Sequence, residues 1–69
     1  MILNDILKLI IDEEVRIELE IDDGSEDYLY EFFWLSDYRI HHHYSDYTVI
    51  SISFDTELNS SDILISIKE

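Results

Sequence analysis

The chain contains no cysteine and no proline, one glycine, and only four lysine and arginine residues among its 69. Each shortage excludes something. Without cysteine there is no disulfide framework and no thiolate metal cluster, so stability has to come from packing or assembly, and the composition suits a reducing cytoplasm. With Gly24 as the single glycine, there is no Gly-rich phosphate loop and no flexible Gly/Pro linker. Long apolar runs are missing too. The opening residues 1–11 are broken by Asn4, Asp5 and Lys8, and no basic stretch precedes them, so they read as neither a signal peptide nor a membrane span.

The scarcity of cations has the widest consequence. Seventeen Asp and Glu against four Lys and Arg give a formal net charge of −13, roughly one uncompensated negative charge per five residues. Such a field is repelled by phosphate and by anionic lipid headgroups, which argues against direct nucleic-acid or membrane binding, and it speeds encounter with a basic surface. High acidity often accompanies disorder, but 46% of the residues here are hydrophobic and they recur periodically. A chain of this length makes one domain, residues 1–69, and buries only about 60% of the surface its unfolded form exposes, so its core is thin.

Leu3, Ile6, Leu7 and Ile10 fall on one helical face, with Asn4 near the N-cap and Asp5 in the first turn, which predicts a helix over residues 3–12. The period then switches to two. Val15, Ile17, Leu19 and Ile21 alternate with Arg16, Glu18, Glu20 and Asp22, the pattern of a half-buried strand over 15–22 with an acidic outer face. Residues 22–27 hold the glycine and predict a turn into an aromatic strand over 28–35. In that strand Tyr28, Tyr30, Phe32 and Trp34 share one face and Leu29, Phe33 and Leu35 the other, more apolar surface than one helix covers.

Residues 36–45 show no regular period and read as a loop or short distorted strand. The alternation of residues 47–54 predicts a third strand, with Ile50, Ile52 and Phe54 opposite Ser51 and Ser53. A turn follows over 55–61, then a last strand over 63–67 with Ile63, Ile65 and Ile67 aligned. The expected architecture is α+β: a short N-terminal helix packed on a four-stranded, mainly antiparallel sheet. Only Lys68 and Glu69 follow the last strand, which leaves it as an edge open to strand addition by a second copy or a partner.

Chemistry-bearing patterns are few. His41, His42 and His43 invite a metal reading, but on a strand only His41 and His43 share a side, and a zinc site needs a further ligand such as Asp37 or Asp46. A surface or structural role accounts for them as well, as does a pH-dependent contact to an acidic neighbour. Carboxylate pairs arise by chance among 17 acids, no nucleophile motif is present, and residues 22–27 lack the calcium-loop spacing with its closing Glu. No catalytic residue, cofactor site or metal site is assigned, and the expected mode of action is binding.

Two features suit that mode. Glu18, Glu20 and Asp22 lie at every second position, about 6.7 Å apart along a strand, and continue into Asp23, Glu26 and Asp27 at the turn and on to Glu31 and Asp37. Such a row imitates phosphates. An ordinary solvated face also carries carboxylates, but it mixes in lysines, because like charges on neighbouring strands repel. The second feature is aromatic: Tyr30 and Trp34, with Tyr28, Tyr38, Tyr44 and Tyr47, provide either core and strand-forming residues or anchors for an Arg-rich partner.

With its amphipathic start over residues 2–10, the acidic strand 15–22 and the terminal strands 47–54 and 63–67, the chain resembles the small acidic proteins encoded by bacteriophages. These include anti-CRISPR and related anti-defence inhibitors that act as nucleic-acid mimics. The resemblance is one of size, charge and element order, and it spans nearly the whole chain. It implies a stoichiometric inhibitor, working in the cytoplasm of a bacterial host cell, that binds the basic nucleic-acid-binding surface of a CRISPR effector or other host defence nuclease. The alternative is an acidic assembly protein, forming a homodimer or larger homo-oligomer through an edge strand or its aromatic face.

Overall fold

The computed structural model describes residues 1–12, 14–54 and 62–69. Two short helices and four strands follow in the order α1 (Leu3–Leu7), β1 (Arg16–Asp22), β2 (Leu29–Trp34), α2 (Tyr38–His42), β3 (Thr48–Ser53) and β4 (Ile63–Lys68). The turn expected over 55–61 lies outside the described residues. The strands form one sheet in the order β2-β1-β4-β3, with antiparallel outer pairings and a parallel central pairing of β1 with β4. The architecture is therefore α+β as expected, with a mixed sheet.

Burial explains the strand order. β1 and β4 are the isoleucine-rich strands, and Ile17, Leu19 and Ile21 of β1 lie beside Ile63, Ile65 and Ile67 of β4. All but Ile63 are essentially inaccessible. Placing these strands in the centre covers them on both flanks, and the expectation that the last strand is an edge is corrected accordingly. The edges are β2 and β3.

One face of the sheet carries the core. Leu3, Ile6 and Leu7 of α1 and Ile40 of α2 join Ile17, Leu19, Ile21, Phe33, Leu35, Ile65 and Ile67 in a single cluster of buried side chains. α1 is shorter than the periodicity over 3–12 suggests. Leu9 and Ile11 point off the buried face and are exposed, so further helical turns would add almost no burial, and the chain leaves through two tight turns, Leu9 N to Ile6 O at 3.0 Å and Ile10 N to Leu7 O at 3.2 Å.

The start of α1 is also tied differently. Ile2, not Asn4, holds the N-cap position. The first amides of the helix donate to the 45–47 backbone, Leu3 N to Tyr47 O and Asn4 N to Ser45 O, both at 2.8 Å, while Asp5 reaches back to accept from Ile2 N at 3.1 Å. Ile2 pairs with Thr48, so the chain start covers part of the outer edge of β3.

Residues 36–45 contain α2 where a loop or distorted strand is expected from the sequence. Asp37 caps it by accepting from Arg39 N at 2.9 Å, and Ile40 is its one buried side chain. In β3 the register shifts between Val49 and Ser51, leaving Ile50 as the extra residue of a bulge. Val49 and Ile52 consequently oppose core residues Ile67 and Ile65, and Ile52 is 37% exposed against 58% for Ile50 and 74% for Phe54, which corrects the simple alternation of Ile50, Ile52 and Phe54.

Candidate functional site

With both helices on the core side, the opposite, open face of the sheet carries no helix among the described residues. It carries Tyr30, Phe32 and Trp34 from β2, Arg16, Glu18, Glu20 and Asp22 from β1, Leu64, Ser66 and Lys68 from β4, and Thr48, Ser51 and Ser53 from β3. The face is graded from aromatic at one edge, through carboxylates, to hydroxyls at the other. Phe32 is 55% exposed although it lies inside a strand, and Tyr30 and Trp34 are similar. A shallow hollow of about 180 Å³ opens beside Trp34, lined by Arg16, Phe32, Phe33 and Trp34.

The open face brings together five of the ten residues expected to bind a partner: Glu18, Glu20, Asp22, Tyr30 and Trp34. Glu20 stands directly opposite Tyr30, and Arg16 opposite Trp34. Within this group Glu18 departs from expectation. It is on the acidic face, yet only 5% exposed, on a central strand where its register neighbours are Phe32 of β2 and Leu64 of β4. It does not present a carboxylate for a partner to read.

Asp23, Glu26 and Asp27 are exposed in the β1–β2 turn, at the end of that face. The turn is built by its own acids. Asp22 accepts from Gly24 N and Asp23 from Ser25 N, each at 3.0 Å, while Ser25 Oγ donates to Asp27 O at 2.7 Å. Gly24 has φ +93°, a conformation that explains the glycine at this position. The hydrogen bonds from Ser25 hold the Asp23 carboxyl below its ordinary pKa, so it is a settled anion.

Glu31 and Asp37 fall elsewhere. Glu31 stands opposite Leu19, on the core side, in the field of Arg39 and Tyr44. Burial raises the Tyr44 phenol above its ordinary pKa, and the Glu31 charge and its hydrogen bond to Tyr44 reinforce the shift. Asp37 is engaged by α2: its carboxylate receives the Arg39 guanidinium at 2.7 Å. Neither extends the acidic row.

The histidines belong to α2 and to its end, where residues two apart point in widely different directions, so His41 and His43 do not share a side. The His41 ring nitrogen Nε2 lies 2.6 Å from Leu35 O, and since a carbonyl only accepts, that nitrogen donates. His42 and His43 flank Tyr38, with ring centroids 6.2 and 6.4 Å away. Among the described residues no three His, Asp or Glu side chains come together in a metal-binding group, and no helix is long and apolar enough to cross a membrane.

One contact type has no counterpart in the sequence reading. Both arginines of the chain lie against aromatic rings of β2: Arg16 Cζ is 5.9 Å from the centroid of Trp34 on the open face, and Arg39 Cζ is 5.1 Å from that of Phe33 on the core side. The Arg16 to Trp34 placement follows from strand pairing, which a sequence does not display. Comparison of the chain with protein-family models, with curated proteins and with solved structures gives no match.

Proposed function

We propose that this protein is a stoichiometric inhibitor that occupies the basic nucleic-acid-binding surface of another protein, a CRISPR effector or other host defence nuclease in a phage-infected bacterial cell. The observation that supports this reading is one-sided charge. Glu20, Asp23, Glu26 and Asp27 gather where the open face meets the β1–β2 turn, and among the described residues no cation of the chain forms an ion pair with any of them. A basic channel offers such a cluster the counter-charges that the chain does not supply, and the adjoining aromatic strand offers stacking and packing area. Binding requires no cofactor and no turnover.

The test is charge reversal at positions that the fold does not use. Glu20→Lys, Glu26→Lys and Asp27→Lys combined leave the core and the Gly24 turn contacts in place. The triple variant is expected to lose capture of basic nucleic-acid-binding proteins from bacterial lysate by at least about tenfold at moderate salt, and duplex DNA is expected to displace what the native protein captures. Equal capture by a folded triple variant rejects the reading.

A further inference from the structure

The backbone of β2 is as informative as its side chains. Leu35 N donates to Val15 O at 2.9 Å, so in this pairing Val15 and Leu35, and every second residue from them, turn their amides toward the partner strand. Tyr30, Phe32 and Trp34 fall at the alternate positions, with N–H and C=O directed away from β1. Two further hydrogen bonds agree: Trp34 O accepts from Asp37 N at 2.9 Å, on the side away from β1, and Arg16 O, opposite Trp34, accepts from Asp62 N at 2.9 Å on the β4 side. Among the described residues nothing pairs with the outer edge of β2 at Tyr30 and Phe32. The other edge of the sheet is different, since Met1 and Ile2 cover the start of β3.

The outward amides and the exposed rings therefore belong to the same residues. A strand added to this edge would hydrogen-bond to Tyr30 and Phe32 and set every second side chain on the open face beside their rings. Its distance from β1 is two strand spacings, about 9.5 Å, so an Arg side chain laid across Tyr30 carries its guanidinium toward Glu20. The protein already seats its own two arginines on β2 rings, Arg16 on Trp34 and Arg39 on Phe33, and leaves Tyr30 and Phe32 uncovered.

Resting on the function proposed above, we infer that the occupant of this edge is an extended, arginine-containing segment of the target protein, bound by β-strand addition to β2. Charge selects it over a second copy of the chain. Two β2 edges brought together would face aromatic against aromatic and join two bodies that each carry −13, whereas a basic strand meets cation-accepting rings and the Glu20 carboxylate.

The probe is a short synthetic peptide alternating Arg with Val, with a counterpart in which Glu replaces Arg, followed by amide hydrogen exchange of the full chain. The Arg peptide is expected to slow exchange at Tyr30, Phe32 and Trp34 by at least about tenfold, while the Glu peptide leaves them unchanged. Phe32→Pro, which removes one outward donor and no bond to β1, is expected to weaken peptide binding by about tenfold, and Phe32→Leu less. If Phe32→Pro does not fold, the exchange measurement on the native chain still decides. Peptide binding with these three amides unprotected, equal protection by the Glu peptide, or protection that grows with protein concentration alone, the mark of a second copy, each overturns the inference. Unprotected amides together with capture that charge reversal abolishes reject strand addition and leave the proposed function standing. Capture that survives charge reversal rejects the function itself.

Discussion

Asp37 shows how much one carboxylate does in a chain with few cations. It caps α2, receives the guanidinium of Arg39, and is held down to a pKa of about 2, chiefly by the Arg39 side-chain hydrogen bond and then by the Arg39 amide. A folded-state pKa below the ordinary value of 3.8 means that the carboxylate stabilises the fold above that value and that the contribution is lost as the pH falls through about 2. Asp37→Ala is expected to lower the melting temperature by roughly 4–8 °C at neutral pH, the usual size of a lost cap in a domain this small. Its deficit relative to the native protein should shrink between pH 3.8 and about 2. Thermal unfolding followed across that range checks both. The sequence shows Asp37 as an acid available to a partner; its employment as a cap is set by the helix that follows it, which a five-residue segment with one buried side chain does not announce through periodicity.

Among the elements, those with many periodic residues were legible and the short ones were not. The alternation of Ile17, Leu19 and Ile21 and of Ile63, Ile65 and Ile67 identifies two strands and their buried faces, because period two over several residues has few other readings. It does not reveal that these strands pair in parallel, since a parallel or an antiparallel neighbour buries the same face. Nor does alternation decide how deeply an outward residue sits, and Glu18, on a central strand, is only 5% exposed. α2 depends on Ile40 as its single buried residue, with the His41 to Leu35 hydrogen bond beside it. Ile40→Ala is expected to cost about 2–5 kcal/mol, measured by urea denaturation. Because His41 carries its contact through the same helix, the variant should also expose the His41 ring to solvent, readable as a change in its NMR signals.

At the level of the whole molecule, the charge excess was plain from composition and its distribution was not. The acids take different roles: Glu31 and Asp37 serve the helix side, Asp22 and Asp23 hold the Gly24 turn, Glu26 and Asp27 are exposed in that turn, and Asp5, Asp12, Glu14, Asp46 and Asp62 are exposed outside it. Self-repulsion of this excess opposes the compact state, and salt screens it over a Debye length that falls from about 30 Å at 0.01 M to about 10 Å at 0.1 M. The melting temperature is therefore expected to rise by several degrees between about 0.01 M and about 0.3 M sodium chloride. A calorimetric scan series in which it stays flat or falls would show that the native ion pairs, Arg16 with Asp62 and Arg39 with Asp37, outweigh the repulsion.

The parallel pairing of β1 with β4 sets the order in which the protein can be assembled. During synthesis the β1–β2 hairpin emerges early and closes locally, but the inner flank of β1 has no partner until residues 63–68 have been made, after β3. The centre of the sheet is thus completed last, by a strand 46 positions away from its neighbour in the register of Ile17 with Ile63. Contacts of such long range slow folding. Until they form, Ile17, Leu19 and Ile21 stand on a strand with one bare flank, and the nascent chain is at its most vulnerable to proteases and to pairing with the wrong strand.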